Sequence, residues 1–188
     1  MLTLIIGGAR SGKSDFALKL ADSFGPKTGG THRADEVPLV RKAYIATAQA
    51  LDEEMGERIR KHRDERSAGW ETLEEPLDIG GLIRDVHPFY EVILLDCLTL
   101  WVTNLLLAEK KMEEEMEQLL NSLSPLVGNK DRSIIIVSNE VGMGIVPDNP
   151  LSRRFRDLAG HLNQRVAEIA DRVYLVAAGI PIQRKDSK

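Results

Sequence analysis

Short apolar runs rich in β-branched residues recur along this chain, and stretches with a helical spacing of apolar residues separate them. Strands that alternate with helices in this way favour a mostly parallel sheet with helices packed against it. The pattern therefore predicts a three-layer α/β fold with a mostly parallel central sheet. The predicted strands cover residues 2–6, 43–46, 92–95, 133–137 and 173–176, and the clearest helical patterns cover residues 16–21, 112–120 and 151–169.

The length of 188 residues is typical of one folding unit, so we expect a single domain over residues 1–188. With 43% hydrophobic and 29% charged residues, the chain has enough apolar material for one core, which excludes disorder for most of it. Residues 25–42 combine prolines and glycines with many charges, and we interpret this segment as a mobile insertion.

Charge and hydropathy exclude several classes of protein. The net charge of −4 gives no general attraction to nucleic acid, so no such partner is expected. No apolar run reaches the roughly 18 residues of a membrane span, and residues 1–6 lack the features of a signal peptide. The single cysteine, Cys97, has no intramolecular disulfide partner, which fits a reducing compartment. We therefore expect a cytoplasmic protein.

The segment after the first predicted strand has the spacing of a P-loop: glycine, four residues, glycine, lysine and serine. Because it lies between a strand and a helix, its backbone N–H groups should converge on phosphates. Lys13 would neutralise the β- and γ-phosphates, and the Ser14 hydroxyl would join the shell of a Mg²⁺ ion. The alternative is a glycine-rich turn that binds nothing, but the complete motif in this context favours a nucleotide site. Its members are Gly7, Gly8, Ala9, Arg10, Ser11, Gly12, Lys13 and Ser14.

A P-loop also needs a carboxylate near the metal, usually at the end of a neighbouring strand. Asp96 ends the apolar run 92–95 and would lie at the edge of the sheet where α/β folds bind ligands. The alternative is that Asp96 caps a helix that begins near Thr99. We favour the role near the metal, because capping would not explain why the acid ends this buried run.

Residues 52–66 have helical spacing, and His62 lies on the face that also carries Met55 and Ile59. A histidine on such a face is usually a packed core residue. Three neighbouring arginines favour a phosphate site instead, and they would lower the pKa of His62 and keep its imidazole neutral and nucleophilic. These neighbours are Arg58, Arg63 and Arg66.

Several sequence motifs, spread in order along nearly the whole chain, together resemble those of a known protein family. They are residues 7–14, residues 44–48, Arg58-Ile59 with His62 and Arg66, Trp70, residues 139–147, and residues 155–160 with Asn163 and Gln164. In this order they resemble the bifunctional adenosylcobinamide kinase / adenosylcobinamide-phosphate guanylyltransferase family of cobalamin biosynthesis. The block 139–147 is the most specific of them.

The resemblance implies two reactions. The enzyme would phosphorylate adenosylcobinamide with ATP or GTP in the presence of Mg²⁺. It would then transfer GMP from GTP, through a covalent intermediate on His62, to give adenosylcobinamide-GDP and pyrophosphate. The resemblance also implies a homo-oligomer, a trimer, and nucleotide contacts from the P-loop and from Ala46, Thr47, Ala48, Arg63, Asp64, Glu65, Arg66, Glu74 and Asp96.

Two alternatives remain open at the level of sequence. In a small-molecule P-loop kinase without guanylyl transfer, His62 would only help to bind phosphate. A non-enzymatic, nucleotide-dependent switch would need only the P-loop and Asp96. Glu140, in the loop after the strand 133–137, is acidic enough to act near a metal or a hydroxyl nucleophile.

Overall fold

The computed structural model describes residues 1–24, 40–50, 53, 56–57, 60 and 69–186 of the chain. Within these ranges, seven strands form one sheet. They are β1 (Leu2–Gly7), β2 (Lys42–Ala46), β3 (Trp70–Glu74), β4 (Val92–Asp96), β5 (Ser133–Asn139), β6 (Arg172–Ala177) and β7 (Ile180–Asp186). Their order in the sheet is β3-β2-β4-β5-β1-β6-β7, and only β7 runs antiparallel to its neighbour.

The described helices are α1 (Lys13–Asp22), α2 (Ile79–Val86), α3 (Leu98–Leu107), α4 (Met112–Leu123) and α5 (Pro150–Ile169), and a short 3-10 turn covers Ser124–Leu126. Side-chain caps fix the start of two of them. Asp78 accepts a hydrogen bond from the Gly81 N–H at the start of α2, and Asn149 accepts one from the Ser152 N–H at the start of α5. Each cap satisfies a backbone donor that has no partner within its helix.

Two apolar clusters, one on each face of the sheet, hold the layers together. The larger cluster packs α2, α3, α4 and α5 against one face around Trp101, which is 1% exposed. The smaller cluster packs Ala17 and Ala21 of α1 against the other face. Because the central strands are covered on both sides, their sequences are continuous apolar runs rather than alternating ones. The predicted three-layer α/β fold with a mostly parallel sheet is confirmed.

The topology gathers the ends of the parallel strands at one edge of the sheet, which we call the carboxyl edge. Gly7 pairs with Asn139 of β5, and Ala46 pairs with both Glu74 and Asp96. Open α/β sheets bind their ligands at this edge. The P-loop, Asp96 and the loop that follows β5 therefore emerge side by side.

All five predicted strands are present, each extended by one or more residues, and the three helical patterns correspond to α1, α4 and α5. The prediction missed β3 and β7. β3 is half exposed, so its apolar content is low, and β7 is an exposed edge strand that tolerates Pro181 because an edge residue needs no ladder donor. β2 begins at Lys42, so the end of the predicted insertion is a strand residue. Residues 25–39 lie outside the described residues, and the mobile insertion stays a prediction.

Across the described part of the chain, no helix is both long enough and apolar enough to cross a membrane.

Candidate nucleotide-binding site

The P-loop connects β1 to α1, and its backbone conformation requires glycine at two positions. Gly12, which precedes α1, has a φ of 88°. A Cβ on Gly7 would lie 2.5 Å from the carbonyl oxygen of Val176. Arg10 also has a positive φ, 55°, a conformation that is uncommon for a residue with a side chain. The backbone conformation of this loop is therefore more tightly constrained than that of a simple turn.

The turn between β6 and β7 supports this loop from behind. The Gly179 N–H donates a hydrogen bond of 2.8 Å to the Ser11 carbonyl oxygen. A Cβ on Gly12 would lie 3.1 Å from the Gly179 Cα, so the two backbones are in close contact. Sequence reasoning did not identify Gly179, because its role depends on the missed strand β7.

Lys13 is the first residue of α1, and its side chain folds back over the loop. It is only 8% exposed, and its Nζ donates a hydrogen bond of 3.0 Å to the Gly8 carbonyl oxygen. Gly8 itself is exposed, and a Cβ there would meet nothing within 4 Å. The ammonium group therefore lies against the loop whose other face is open to a ligand.

Asp96 lies at the end of β4, where its Oδ2 accepts a hydrogen bond of 3.0 Å from the Tyr44 hydroxyl. Helix α3 begins at Leu98 with Cys97 at the N-cap position and no side-chain cap. The alternative that Asp96 caps this helix is therefore wrong. Its carboxylate is fixed by Tyr44 at the carboxyl edge instead.

The buried thiol of Cys97 is affected by the charges of both Asp96 and Lys13. Burial and, to a lesser extent, the negative charge of Asp96 raise the pKa of the Cys97 thiol to about 11, against a smaller lowering that includes the positive charge of Lys13. Both charges therefore act on the same buried sulfur. An ammonium group and a carboxylate around one point at the carboxyl edge are the arrangement that a metal-bound triphosphate requires.

Thr47 connects the ends of β2 and β4. Its side chain is fully buried, and its Oγ1 both donates to the Cys97 carbonyl oxygen and accepts from the Cys97 N–H, each at 2.8 Å. The Asn104 Nδ2 donates a hydrogen bond of 2.8 Å to the Thr47 carbonyl oxygen. The Thr47 hydroxyl therefore both donates and accepts a hydrogen bond within the protein, and these bonds hold Cys97 and the adjacent Asp96 in place. The predicted nucleotide contacts of Ala46, Thr47 and Ala48 stay predictions.

The turn after β5 is fixed from three sides. The Asn139 N–H donates to the Thr99 Oγ1 at 2.8 Å, and the Asn163 Nδ2 donates to the Asn139 carbonyl oxygen at 3.2 Å. The Glu140 N–H donates to the Gly7 carbonyl oxygen at 2.9 Å. Asn163 belongs to a motif of the sequence, whereas nothing local marks Thr99 as an anchor of this turn.

The remaining predicted site residues divide into two groups. Glu74 is exposed at the end of β3, across from Ala46 at the carboxyl edge. The other group lies outside the described residues and comprises His62, Arg63, Asp64, Glu65 and Arg66, together with Arg58. The structure therefore brings the P-loop, residues 46–48, Glu74 and Asp96 to one edge, and the role of His62 stays a prediction.

The fold and this edge define a P-loop nucleotide-binding protein of the α/β class. Two solved structures share the fold at low sequence identity. The RadB recombinase superimposes with a TM-score of 0.50 at 13% identity, over 93% of this chain and 73% of the recombinase chain. A protein of Pyrococcus horikoshii superimposes with a TM-score of 0.53 at 10% identity, over 100% of this chain and 87% of the other.

Comparison of the sequence with known families assigns the chain to one family within this class of nucleotide-binding proteins. Residues 3–184 match the family described as cobinamide kinase / cobinamide phosphate guanyltransferase, and the chain belongs to this family. The bifunctional adenosylcobalamin biosynthesis protein CobP of Pseudomonas aeruginosa is 46% identical over 187 residues, with 98% of each chain covered. The corresponding CobU proteins of Salmonella typhimurium and Escherichia coli are each 41% identical over 197 residues, which cover 98% of this chain and 100% of theirs. The resemblance carried by the motifs is confirmed.

Proposed function

We propose that this protein phosphorylates adenosylcobinamide and then converts the product to adenosylcobinamide-GDP with GTP. The observation that carries the proposal is the convergence of the P-loop, Lys13 and Asp96 at one edge of a chain that matches the family over residues 3–184. A kinase without guanylyl transfer, or a switch, would use the same P-loop, but the family match favours the bifunctional enzyme.

In the kinase step, the P-loop holds the triphosphate of ATP or GTP. The backbone N–H groups of the loop and the start of α1 point toward the phosphates, where the helix dipole also favours negative charge. Lys13 contributes a buried positive charge on the same side. The substrate hydroxyl oxygen forms a bond to the γ-phosphorus, and the bond between that phosphorus and the bridging oxygen breaks. The nucleoside diphosphate leaves with the electron pair.

Mg²⁺ fits the residues that would hold it, Ser14 and Asp96. Both offer hard oxygen donors, and Mg²⁺ in nucleotide sites is typically held by one or two protein oxygens together with phosphates and water. Among the described residues, no group of three or more His, Cys, Asp or Glu could hold a metal ion. When bound, it neutralises charge that develops on the phosphate oxygens.

In the guanylyl transfer, His62 acts as the nucleophile. Its neutral imidazole nitrogen forms a bond to the α-phosphorus of GTP, and pyrophosphate leaves with the electron pair. A phosphate oxygen of adenosylcobinamide phosphate then attacks the same phosphorus, and the P–N bond breaks to release the histidine. Arg63 and Arg66, with Asp64, Glu65 and Glu74, would bind the nucleotide around this position.

Two further features belong to the proposal. The homotrimer implied by the resemblance would be tested by light scattering after size-exclusion chromatography. The cytoplasmic location expected from the sequence stays a prediction, to be tested by cell fractionation.

One set of incubations tests the proposed function. The protein is mixed with adenosylcobinamide, Mg²⁺ and GTP that carries label on either the α- or the γ-phosphate, and both protein and corrinoid are analysed by mass spectrometry. The bifunctional enzyme transfers the γ-label to the corrinoid and places the α-label first on protein and then on corrinoid. A plain kinase transfers the γ-label alone, and a switch transfers neither.

A further inference from the structure

Glu140 emerges at the centre of the carboxyl edge. It follows β5, and β5 lies in the sheet between β1, which leads into the P-loop, and β4, which ends in Asp96. Glu140 therefore lies between the P-loop, which would hold the triphosphate, and Asp96, which would help to hold the metal. Nothing in the kinase or transfer steps described above uses it.

The backbone of Glu140 is rigidly placed. Its N–H donates to the Gly7 carbonyl oxygen at 2.9 Å, which fixes it to the first residue of the P-loop. The preceding residue, Asn139, is held by Thr99 of α3 and Asn163 of α5. A group mounted on such a framework keeps its position relative to the phosphates, as a catalytic group must.

One oxygen of the Glu140 carboxylate is held by the backbone of the same loop. Oε1 of this carboxylate accepts a hydrogen bond of 2.7 Å from the Gly142 N–H, and a Cβ on Gly142 would lie 2.9 Å from the same oxygen. No Lys, Arg or His of the described residues forms an ion pair with it. A half-buried carboxylate without a cation beside a triphosphate site is repelled by the ligand. Such a carboxylate does not serve to bind phosphate, but its free oxygen is available to accept a proton.

The kinase step needs such an oxygen. An alcohol attacks phosphorus poorly unless its proton is removed as the new bond forms. We propose that Glu140 is the general base of the kinase step, an inference that rests on the proposed function. As the substrate hydroxyl oxygen bonds to the γ-phosphorus, its proton passes to Oε2 of Glu140. The electron pair of the breaking P–O bond leaves with the nucleoside diphosphate, and Glu140 later releases the proton to water.

The guanylyl transfer does not require a general base. A neutral imidazole attacks without losing a proton from the attacking nitrogen, and the corrinoid phosphate that attacks next is already ionised near neutral pH. Glu140 therefore acts in one of the two reactions only. This asymmetry separates a general base from a residue that merely shapes the shared nucleotide site.

The test is Glu140→Gln, which keeps an oxygen to accept the Gly142 N–H but removes the basic carboxylate. The kinase is assayed with γ-labelled ATP and adenosylcobinamide, and the transfer separately with α-labelled GTP and adenosylcobinamide phosphate. We expect the kinase kcat to fall on the order of 10²–10⁴-fold while the transfer rate stays close to that of the wild type. Glu140→Asp, which keeps a carboxylate but withdraws it, should lower the kinase less.

Glu168→Gln is the matched control, because Glu168 is exposed in the last turn of α5, whereas Glu140 lies in the loop that leads to the start of this helix. The substitution removes the same charge. It should keep both activities. A Glu140→Gln kinase close to the wild-type rate would overturn the proposal, and so would an equal loss of both activities, which would assign Glu140 to the nucleotide site. If Glu140→Gln fails to fold, the same comparison is made with Glu140→Asp. Failure of the proposed function would be seen separately, as a wild-type protein that transfers neither label.

Discussion

The hydroxyl of Tyr44 donates a hydrogen bond of 3.0 Å to Oδ2 of Asp96, and this contact joins the middle of β2 to the last residue of β4. The ring of Tyr44 also packs edge-on against Trp70, with 6.4 Å between the ring centroids. The tyrosine is therefore held on one side and orients the carboxylate on the other. Asp96 is presented to a ligand in a fixed direction.

Tyr44→Phe should weaken this orientation while it keeps the ring contact with Trp70. We expect a higher Mg²⁺ concentration at half-maximal kinase activity, and a loss of unfolding free energy of roughly 1–2 kcal/mol. The two readouts are a Mg²⁺ titration and urea unfolding. Tyr90→Phe is the control, because Tyr90 donates a similar hydrogen bond to Glu71 at an exposed position away from Asp96. An unchanged Mg²⁺ requirement in Tyr44→Phe would show that Asp96 does not depend on this contact.

Lys13→Ala should impair both reactions. If the two reactions share one triphosphate site, the loss of the buried ammonium removes stabilisation from both transition states, on the order of 10²–10³-fold each. Kinase and guanylyl transfer are measured separately. Lys19→Ala, which removes an exposed lysine from the same helix, should leave both rates unchanged. A Lys13→Ala protein that loses only one activity would indicate two separate triphosphate sites.

Thr47→Val should destabilise the protein, because the hydroxyl of Thr47 is hydrogen-bonded to Cys97 within the protein. The substitution leaves the buried N–H of Cys97 without its partner, while the Cys97 carbonyl oxygen keeps the Trp101 N–H, and we expect a cost of about 1–3 kcal/mol of unfolding free energy. Urea unfolding measures this loss. Thr103→Val is the control, since its hydroxyl bonds only to a carbonyl within its own helix. Equal stability of the two variants would contradict the role of Thr47 as the connection between β2 and β4.

The Cys97 thiol should be unreactive in the folded protein. Because burial raises its pKa from 9.0 to about 11, the thiol stays protonated at neutral and mildly alkaline pH. The unfolded chain ionises first, so stability should be fully present below pH 9 and decline as the pH rises toward 11. A chromogenic disulfide reagent at pH 8 should modify Cys97 only after unfolding in urea. Rapid modification of the native protein would contradict the buried position.

The parts of the site that could be predicted from the sequence are those with a local signature. The P-loop is one continuous segment, and Asp96 ends a single apolar run, so both were assigned without knowledge of the fold. The contact between Thr47 and Cys97 could not be predicted, because the two residues lie 50 positions apart and no local pattern links them. Gly179 lies in the turn between β6 and β7, and the sequence did not predict this turn. The strand β7 is exposed, and it forms only by pairing with β6.

The covalent intermediate on His62 is the central claim, and labelling with α-labelled GTP in the absence of corrinoid tests it most directly. The wild-type protein should acquire one GMP through a P–N bond, which hydrolyses in mild acid and survives alkali. His62→Ala and His62→Asn should acquire none and should lose guanylyl transfer, while the kinase step survives in part because it needs no enzyme nucleophile. If either variant acquires acid-labile GMP at the wild-type stoichiometry, His62 is not the nucleophile, and Lys61 is the next residue to test.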